Sequence, residues 1–410
     1  MKPFSFVHLA DAHLGKLQYG LEVRREDFTK AFIEAVEEII KLKPNFIVIS
    51  GDLFEEARPA NPTLATAIRE LRRFRDRNIP VLAVDGSHDS APNVITGTIL
   101  IPLDRAGLLH YLPFHEGSCW RSESCYVYGI PNYNTRTKTE KMLPEFLANN
   151  NPKPDPSLFN IFAFHGALDD PTLKPPGMDA ELRPEIIPDG FDYYAGGHIH
   201  NPIKIQFKSG TLAYSGCLET TTHREAEIEK GFNYITVQSK NVYEVQRIRL
   251  TSPRPFLIIK EDFSGKAPEE ITRLATKLVE EADRPGSVLV VILEGLLPMA
   301  VSRTQIDSAK IRSAAKQALY VHFLNKMEES KISEEARQAI FGAGREMKTL
   351  DRAYEYFLRV FLTQYSHDKA ERLARLAVDL VEPLSKGERK RVEKLLEEFA
   401  GSENSLGTLS

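Results

Sequence analysis

Cysteine is scarce in this chain: three in 410 residues, Cys119, Cys125 and Cys217. So sparse and odd a set builds no disulfide framework, matches no zinc-ligand spacing, and fits a reducing compartment. Long hydrophobic runs are missing as well. None approaches the roughly 18 apolar residues that a membrane-spanning helix needs. The first residues, MKPFSFVHLADAHLG, carry charges too early for a signal peptide. The expectation is a cytoplasmic protein with no membrane contact. There is no basic excess either: Lys and Arg total 53, Asp and Glu 57, for a net charge of −4. A nucleic-acid-binding domain usually leans the other way, so any such contact must use local basic patches or metal ions. No G-x-x-x-x-G-K-[ST] stretch occurs, so a nucleoside triphosphate site, if the cycle uses one, belongs to a partner.

What remains is an ordinary globular composition, 42% hydrophobic and 27% charged, long enough for two or three domains with real cores. Over the first 250 residues or so, apolar strands alternate with amphipathic helices. FSFVHLAD, NFIVISGD and PVLAVDG read as strands; residues 24–43 and 62–78 read as helices. Later strands are CYVYGIP, NIFAFHG, DYYAGGH, LAYSG, FNYITVQ and YEVQRIRL. Alternation of this kind predicts an α/β domain with largely parallel pairing, turning antiparallel after about residue 193, where long helices cease. Two prolines in LTSPRPF mark a boundary near residue 250. A small α/β unit follows over 251–327. Helical periodicity then occupies 333–400, with Ser385 and Glu388 as a capping box and Gly401 as a stop. Residues 401–410 are small and polar and are expected to be disordered.

Nine of the eleven histidines precede residue 224, and several stand where an apolar strand ends. In chain order the strand ends carry Asp11 and His13, Asp52, His88, His165, then His198 and His200. Singly, each is most simply a turn residue, a helix cap or a satisfied histidine. Together they form a pattern. In an α/β sheet the carboxyl ends of the strands line one crevice, and five of them deliver Asp or His to it. Glycines flank most of these positions and permit tight turns close to an ion. Mixed carboxylate and imidazole donors suit manganese, iron or zinc.

The series Asp11-Ala-His13, Gly51-Asp52, Gly86-Ser87-His88-Asp89, His165 and Gly197-His198-Ile199-His200 resembles the signature of the calcineurin-like metallophosphoesterases. HLADAHLG, QYGLEVRREDFTKAF, GDLFEEARP, GHIHNPI and LAYSGCLE are similar, more narrowly, to the Mre-eleven/SbcD DNA-repair nucleases of archaeal type. The likeness is dense over residues 4–224 and looser beyond. It implies a four-layer sandwich at 1–250, a small α/β capping domain at 251–327 entered near Arg254-Pro255-Phe256, and C-terminal helices at 333–400. It further implies two divalent metal ions, with manganese as the metal. Asp11, His13, Asp52 and His200 would hold one; Asp52, Ser87, His165 and His198 the other. His88 would be the catalytic histidine at the scissile phosphate, with Asp89 orienting it or capping the next turn. Implied partners are DNA ends, a Rad-fifty/SbcC-like coiled-coil ATPase and a second copy of the chain, in a prokaryotic, nucleoid-associated setting.

Ser87 departs from the family pattern, which has asparagine there. The departure keeps open a catalytically weak DNA-binding scaffold beside the nuclease; a small-substrate phosphodiesterase using the same site is the third reading. Lys16, Arg24, Arg25 and Arg58 are candidate DNA-positioning groups, against the alternative of solvated surface charges. Tyr354, Phe357, Phe361 and Tyr365 share a helical face that suits core packing or partner docking. Ile68, Leu71 and residues 96–109 are candidates for a dimer face.

Overall fold

The computed structural model describes residues 1–90, 97–174, 177–298, 301–329, 348–362, 365–385 and 388–406. Two six-stranded sheets dominate the first 250 residues. In the first lie β1 (Phe4–Leu9), β2 (Phe46–Ser50), β3 (Val81–Val84), β4 (His110–Tyr111), β11 (Gly231–Ser239) and β12 (Val242–Arg249), in the order β12-β11-β1-β2-β3-β4. In the second lie β5 (Cys119–Arg121), β6 (Cys125–Gly129), β7 (Phe159–His165), β8 (Tyr193–Gly197), β9 (Ile203–Phe207) and β10 (Gly210–Tyr214), in the order β5-β6-β7-β8-β10-β9.

Strand periodicity explains why the sheets pack face to face. Successive side chains point to opposite faces. In β1 and β2, Phe6, Phe46 and Val48 enter a core shared with Val127, Ile161 and Ala195 of the second sheet. Their neighbours Val7, Ile47 and Ile49 face the other way, onto the helices α1 (Glu22–Leu42) and α2 (Asn61–Arg75). Both faces are covered, so these strands read as unbroken apolar runs. The outer face of the second sheet carries a third core, with Phe162, Tyr194 and Leu143 of α4 (Arg136–Asn150). Helix, sheet, sheet and an outer helical layer make the four-layer α/β sandwich that the resemblance implied.

Helix α1 forms because Phe28, Phe32, Val36 and Ile39 repeat at three- and four-residue spacing, and all are buried. Full burial of each phenylalanine contributes about 1.5–3 kcal/mol. Lys43 closes the helix in a left-handed conformation (φ 51°), its N–H bonded to the Ile39 carbonyl. The short α3 (Leu100–Arg105) precedes β4. Leu71, a candidate for the dimer face, is fully buried in the first core together with Leu100 and Leu103. It is an inward residue of α2 and faces no partner.

Pairing after residue 193 is mixed, where antiparallel strands were expected. β9 and β10 form an antiparallel hairpin, and β11 pairs antiparallel with β1 and β12. β10, however, lies parallel to β8. The chain leaves β8, runs to the sheet edge as β9, turns at Lys208 (φ 49°) and returns between the two.

The chain divides into two compact units. One comprises Met1–Ile259, Val279–Val291 and Ala315–Phe323; the other Lys260–Leu278, Ile292–Ala314 and Leu324–Ser410. Beyond residue 255, β13 (Phe256–Asp262), β14 (Val288–Glu294) and β15 (Tyr320–Asn325) form a three-stranded sheet in that order. α5 (Pro268–Ala282) and α6 (Ser308–Ser313) accompany it. Arg254, at the start of the RPF stretch, is paired through its Nη2 with Asp27 at 2.8 Å.

Among the described residues three C-terminal helices follow: α7 (Lys348–Leu362), α8 (His367–Ser385) and α9 (Arg389–Leu406). In α7, Tyr354, Phe357 and Phe361 are half-buried, and Phe361 lies 6.4 Å from both the Phe357 and Tyr365 rings. α9 does not stop at Gly401 but continues to Leu406, so 401–406 are helical rather than disordered. Glycine ends a helix when it turns left-handed; kept in the helical conformation it merely costs about 1 kcal/mol relative to alanine. Residues 407–410 lie outside the described residues. So do 386–387, in the middle of the proposed capping box, and Thr96, in the proposed dimer segment.

Candidate metal centre

Parallel order brings the expected strand ends to one edge. β1, β2 and β3 are neighbours in the first sheet, and β7 and β8 in the second. Asp11 and His13 follow β1, Asp52 follows β2, Ser87 and His88 follow β3, His165 ends β7, and His198 and His200 follow β8. The backbone bends sharply there. Asp11 (φ 54°), His13 (φ 46°), Asp52 (φ 51°) and His198 (φ 90°) all have positive φ. Such conformations cost about 1–3 kcal/mol each and persist only where surrounding bonds dictate them. Here the Asp11 amide donates to the Gly51 carbonyl at 3.1 Å and the His13 amide to the Asp52 carbonyl at 3.0 Å. The His198 amide donates to both Asp11 carboxylate oxygens, each at 3.1 Å.

Glycine is required at several of these turns. Gly51 has φ +86°, and a Cβ there would lie 2.4 Å from His165 Nδ1. A Cβ on Gly86 would lie 2.1 Å from Asp52 Oδ1. The loops are therefore pressed against the donor atoms as closely as backbone allows.

The donors fall into overlapping groups: Asp11, His13 and His200; His13, Asp52 and His88; Asp52, His165 and His198. Within each, the donor atoms lie within 4.8 Å of one another. Asp52 belongs to two of them and stands between the Asp11 group and the His165 pair. Ser87 is half-buried beside it and donates its Oγ to Asp52 Oδ2 at 3.3 Å. His88 is the exposed member, its side chain 42% accessible. Its amide donates to Asp52 Oδ1 at 2.8 Å, and its Nδ1 donates to the Glu55 carbonyl at 2.9 Å. That bond places a proton on His88 Nδ1.

The chemistry of the donors fits divalent ions. His165 donates Nδ1 to the Ser50 carbonyl at 2.9 Å, and its buried Nε2 makes no hydrogen bond. His13 gives Nδ1 to Glu55 at 2.8 Å, and His200 gives Nδ1 to Glu225 at 2.9 Å. The Nε2 atoms of His13 and His200 then confront each other at 3.2 Å. An imidazole whose Nδ1 proton is held by a carboxylate presents a basic, correctly aimed Nε2 to a metal. Burial pushes His198 down to about 3, so that it stands as a neutral donor. Burial alone would raise Asp52, but the neighbouring His165 and His13 more than offset this and hold its carboxyl well below the usual range.

Some surrounding groups differ from expectation. Asp89 does not orient His88. Its carboxylate accepts the amides of Gly86 at 3.0 Å, Leu53 at 3.3 Å and Phe54 at 2.9 Å, tying the third loop to the second. Burial and then the Asp52 charge raise it to about 7. Arg24 is fully buried and bonded to Gln18, Asp27 and the Thr220 carbonyl, so it is a structural group rather than a DNA-positioning one. Lys16 is engaged with Glu55 at 2.6 Å, and Arg25 pairs with Glu22.

Glu55 and Glu225 were not anticipated, nor was Glu181, 3.6 Å from His198 Nε2. Their partners lie 17 to 42 residues away in sequence, so no local spacing announces them. The one available signal was that Glu55 closely follows Asp52 in GDLFEE. Burial sets Glu55 against ionisation, but His13 and Lys16 more than offset this and bring it down to about 2. The donors open on a cleft of about 880 Å³, with His13, Asp52, His88, His198 and His200 on its lining and Lys174 and Arg224 among the other groups.

Sequence comparisons agree with this geometry. The calcineurin-like phosphoesterase family matches residues 4–202. The chain is 27% identical over 370 residues to the DNA double-strand break repair protein Mre11 of Archaeoglobus fulgidus, covering 81% of this chain and 77% of that one. It is 32% identical over 225 residues to the protein of the same name from Methanocaldococcus jannaschii (54% and 58% covered). With the one from Sulfolobus acidocaldarius it shares 25% identity over 406 residues (97% and 99% covered). Donors that converge on one crevice from five strand ends agree with these comparisons: residues 4–202 form a calcineurin-like phosphoesterase domain, a hydrolase of phosphate esters, in a chain similar to the archaeal Mre11 proteins.

Proposed function

We propose that the chain is a DNA nuclease acting at double-strand ends in repair. The observation that carries this is the convergence of Asp11, His13, Asp52, His165, His198 and His200 at one edge of the two sheets, next to the exposed His88. The names of the relatives supply the DNA. Asp11, His13, Asp52 and His200 would hold one divalent ion, and Asp52, Ser87, His165 and His198 a second, with manganese as the metal. When bound, such a pair polarises a phosphodiester and activates a water at neutral pH.

The protein's own residues do the rest. Glu55 and Glu225 fix His13 and His200 with their Nε2 atoms toward the cleft. Asp52, within reach of both groups, would offset the repulsion between two dications. His88, held through Nδ1 by the Glu55 carbonyl, presents Nε2 to the cleft; with both ring nitrogens protonated it would give the Nε2 proton to the departing oxygen of a phosphodiester. In an acidic chain, the positive charge that attracts DNA would come mainly from the ions. Exonuclease and endonuclease action, a coiled-coil ATPase on helices α7 to α9, and a homodimer extend the same reading. So do the nuclease, capping and helical assignments of 1–250, 251–327 and 333–400. The reading is supported by the long apolar face of α7 and by a relative that spans 97% of the chain. No helix among the described residues is long and apolar enough to cross a membrane.

Ser87 favours a second reading, a DNA-binding scaffold that cuts weakly, because a neutral hydroxyl already engaged with Asp52 is a poorer metal donor than an amide oxygen. Assay of linear duplex DNA and of a chromogenic phosphodiester with manganese separates the readings. The nuclease cuts DNA ends in preference; a small-substrate enzyme prefers the diester; a scaffold retains DNA without cutting.

A further inference from the structure

A second cluster of metal-donor side chains lies apart from the crevice, around β4. Asp104 in α3, His110 in β4 and His115 just beyond have donor atoms within 4.8 Å of one another. His115 Nε2 stands 2.6 Å from Asp104 Oδ2, and the same oxygen accepts the Tyr111 amide at 2.7 Å. The His110 and His115 rings are stacked, with centroids 3.7 Å apart and planes 14° from parallel. His110 Nε2 is enclosed and has no hydrogen-bond partner.

That nitrogen is the anomaly. Buried polar atoms are nearly always satisfied, and an orphan calls for a water or an ion that meets it. One carboxylate and two imidazoles within reach of one another form a mixed oxygen and nitrogen donor set, which suits a first-row dication such as zinc. Asp104 is nearly buried, and its attachment to the Tyr111 amide fixes it in place. His115 is 35% exposed at its side chain, so it can tilt its Nε2 out of the stack toward an ion and leave one coordination position to water. The cluster is linked to the crevice through Tyr111. Tyr111 donates its hydroxyl to Asp85 at 2.8 Å, and Asp85 in turn accepts from Ser90 across the loop that carries Ser87 and His88.

We propose that Asp104, His110 and His115 form a separate binding site for a zinc-class divalent ion, clamping β4 and Tyr111 behind the Asp85–Ser90 loop. The site is independent of the crevice and of the proposed nuclease function.

Zinc binding tests it directly. The full chain carrying His13→Ala and His165→Ala, which disable the crevice, is dialysed against zinc and its bound metal counted. The expected result is about one zinc per chain. Adding His115→Ala should remove it, and Asp104→Asn should weaken it at least tenfold. Equal zinc content with and without His115→Ala overturns the proposal. Should these variants fold poorly, cobalt titration of the unmodified chain gives an independent reading. Paramagnetic shifts at both the His110 and His115 ring protons support the site. Shifts confined to the crevice histidines leave Asp104 and His115 as a simple ion pair and refute it.

Discussion

His13 and His200 aim their Nε2 atoms at each other across 3.2 Å, while each commits its Nδ1 to a glutamate. Two lone pairs so placed repel unless a proton or a cation lies between them. The arrangement is thus built around positive charge, and Glu55 and Glu225 maintain it. Glu225→Ala should lower the affinity for manganese by about 10- to 100-fold, the usual cost of losing such a partner. Calorimetric titration of the metal measures this. Unchanged affinity would show that the glutamate only packs beside His200.

Gly86 leaves no room for a side chain, since its Cβ would lie 2.1 Å from Asp52 Oδ1. Gly86→Ala should displace Asp52 or the 86–89 loop, with a loss of stability of about 1–3 kcal/mol. Thermal melts should show the larger difference with manganese than with chelator, because the displaced carboxylate is the one shared by two donor groups. An equal shift in both conditions would separate the strain from the metal centre.

Ser87 is the residue that sets this chain apart from its family pattern. Ser87→Asn should tighten binding of the second ion while leaving the first unaltered. Two-phase metal titrations of parent and variant give the comparison, and identical curves would place Ser87 outside the donor set.

Glu34, far from the crevice, accepts the Thr251 amide at 2.8 Å, the Thr251 hydroxyl at 2.7 Å and the Ser252 amide at 2.8 Å. Burial works against its charge, but the Ser252 and Thr251 bonds more than offset this and hold its pKa below the ordinary glutamate value. A carboxyl with a depressed folded-state pKa stabilises the fold above its unfolded pKa, about 4.3, and loses that contribution as pH falls through the folded value. Glu34→Gln should therefore cost about 1 kcal/mol at neutral pH. The gap between parent and variant melting temperatures should narrow as pH drops below about 4. A gap that stays constant with pH would show that the carboxylate charge contributes nothing.

Much of the fold was legible because both sheets are covered on both faces. Runs such as NFIVISGD and NIFAFHG announce buried parallel strands, and the donors directly follow them. The parallel placing of β10 was not legible, because a local hairpin signal says nothing about which older strand the hairpin lies beside. At the site, Asp11, His13, Asp52, His165, His198 and His200 could be read because strand ends collect them. Glu55 and Glu225 could not, since their contacts arise only when distant loops meet. Asp89 and Arg24 look in sequence like groups facing a ligand. They proved to hold loops together, as their burial required. Asp104, His110 and His115 carry no recognisable spacing, and only the fold brings the three together.

The most direct test of the account is cleavage of linear duplex DNA with manganese by the parent chain and by His88→Ala, with bound metal measured on the same samples. The account predicts that the parent degrades the DNA, and that the variant binds as much metal yet loses cutting by at least about 100-fold. An inactive parent that nevertheless binds manganese, or a variant that cuts as well as the parent, would contradict it.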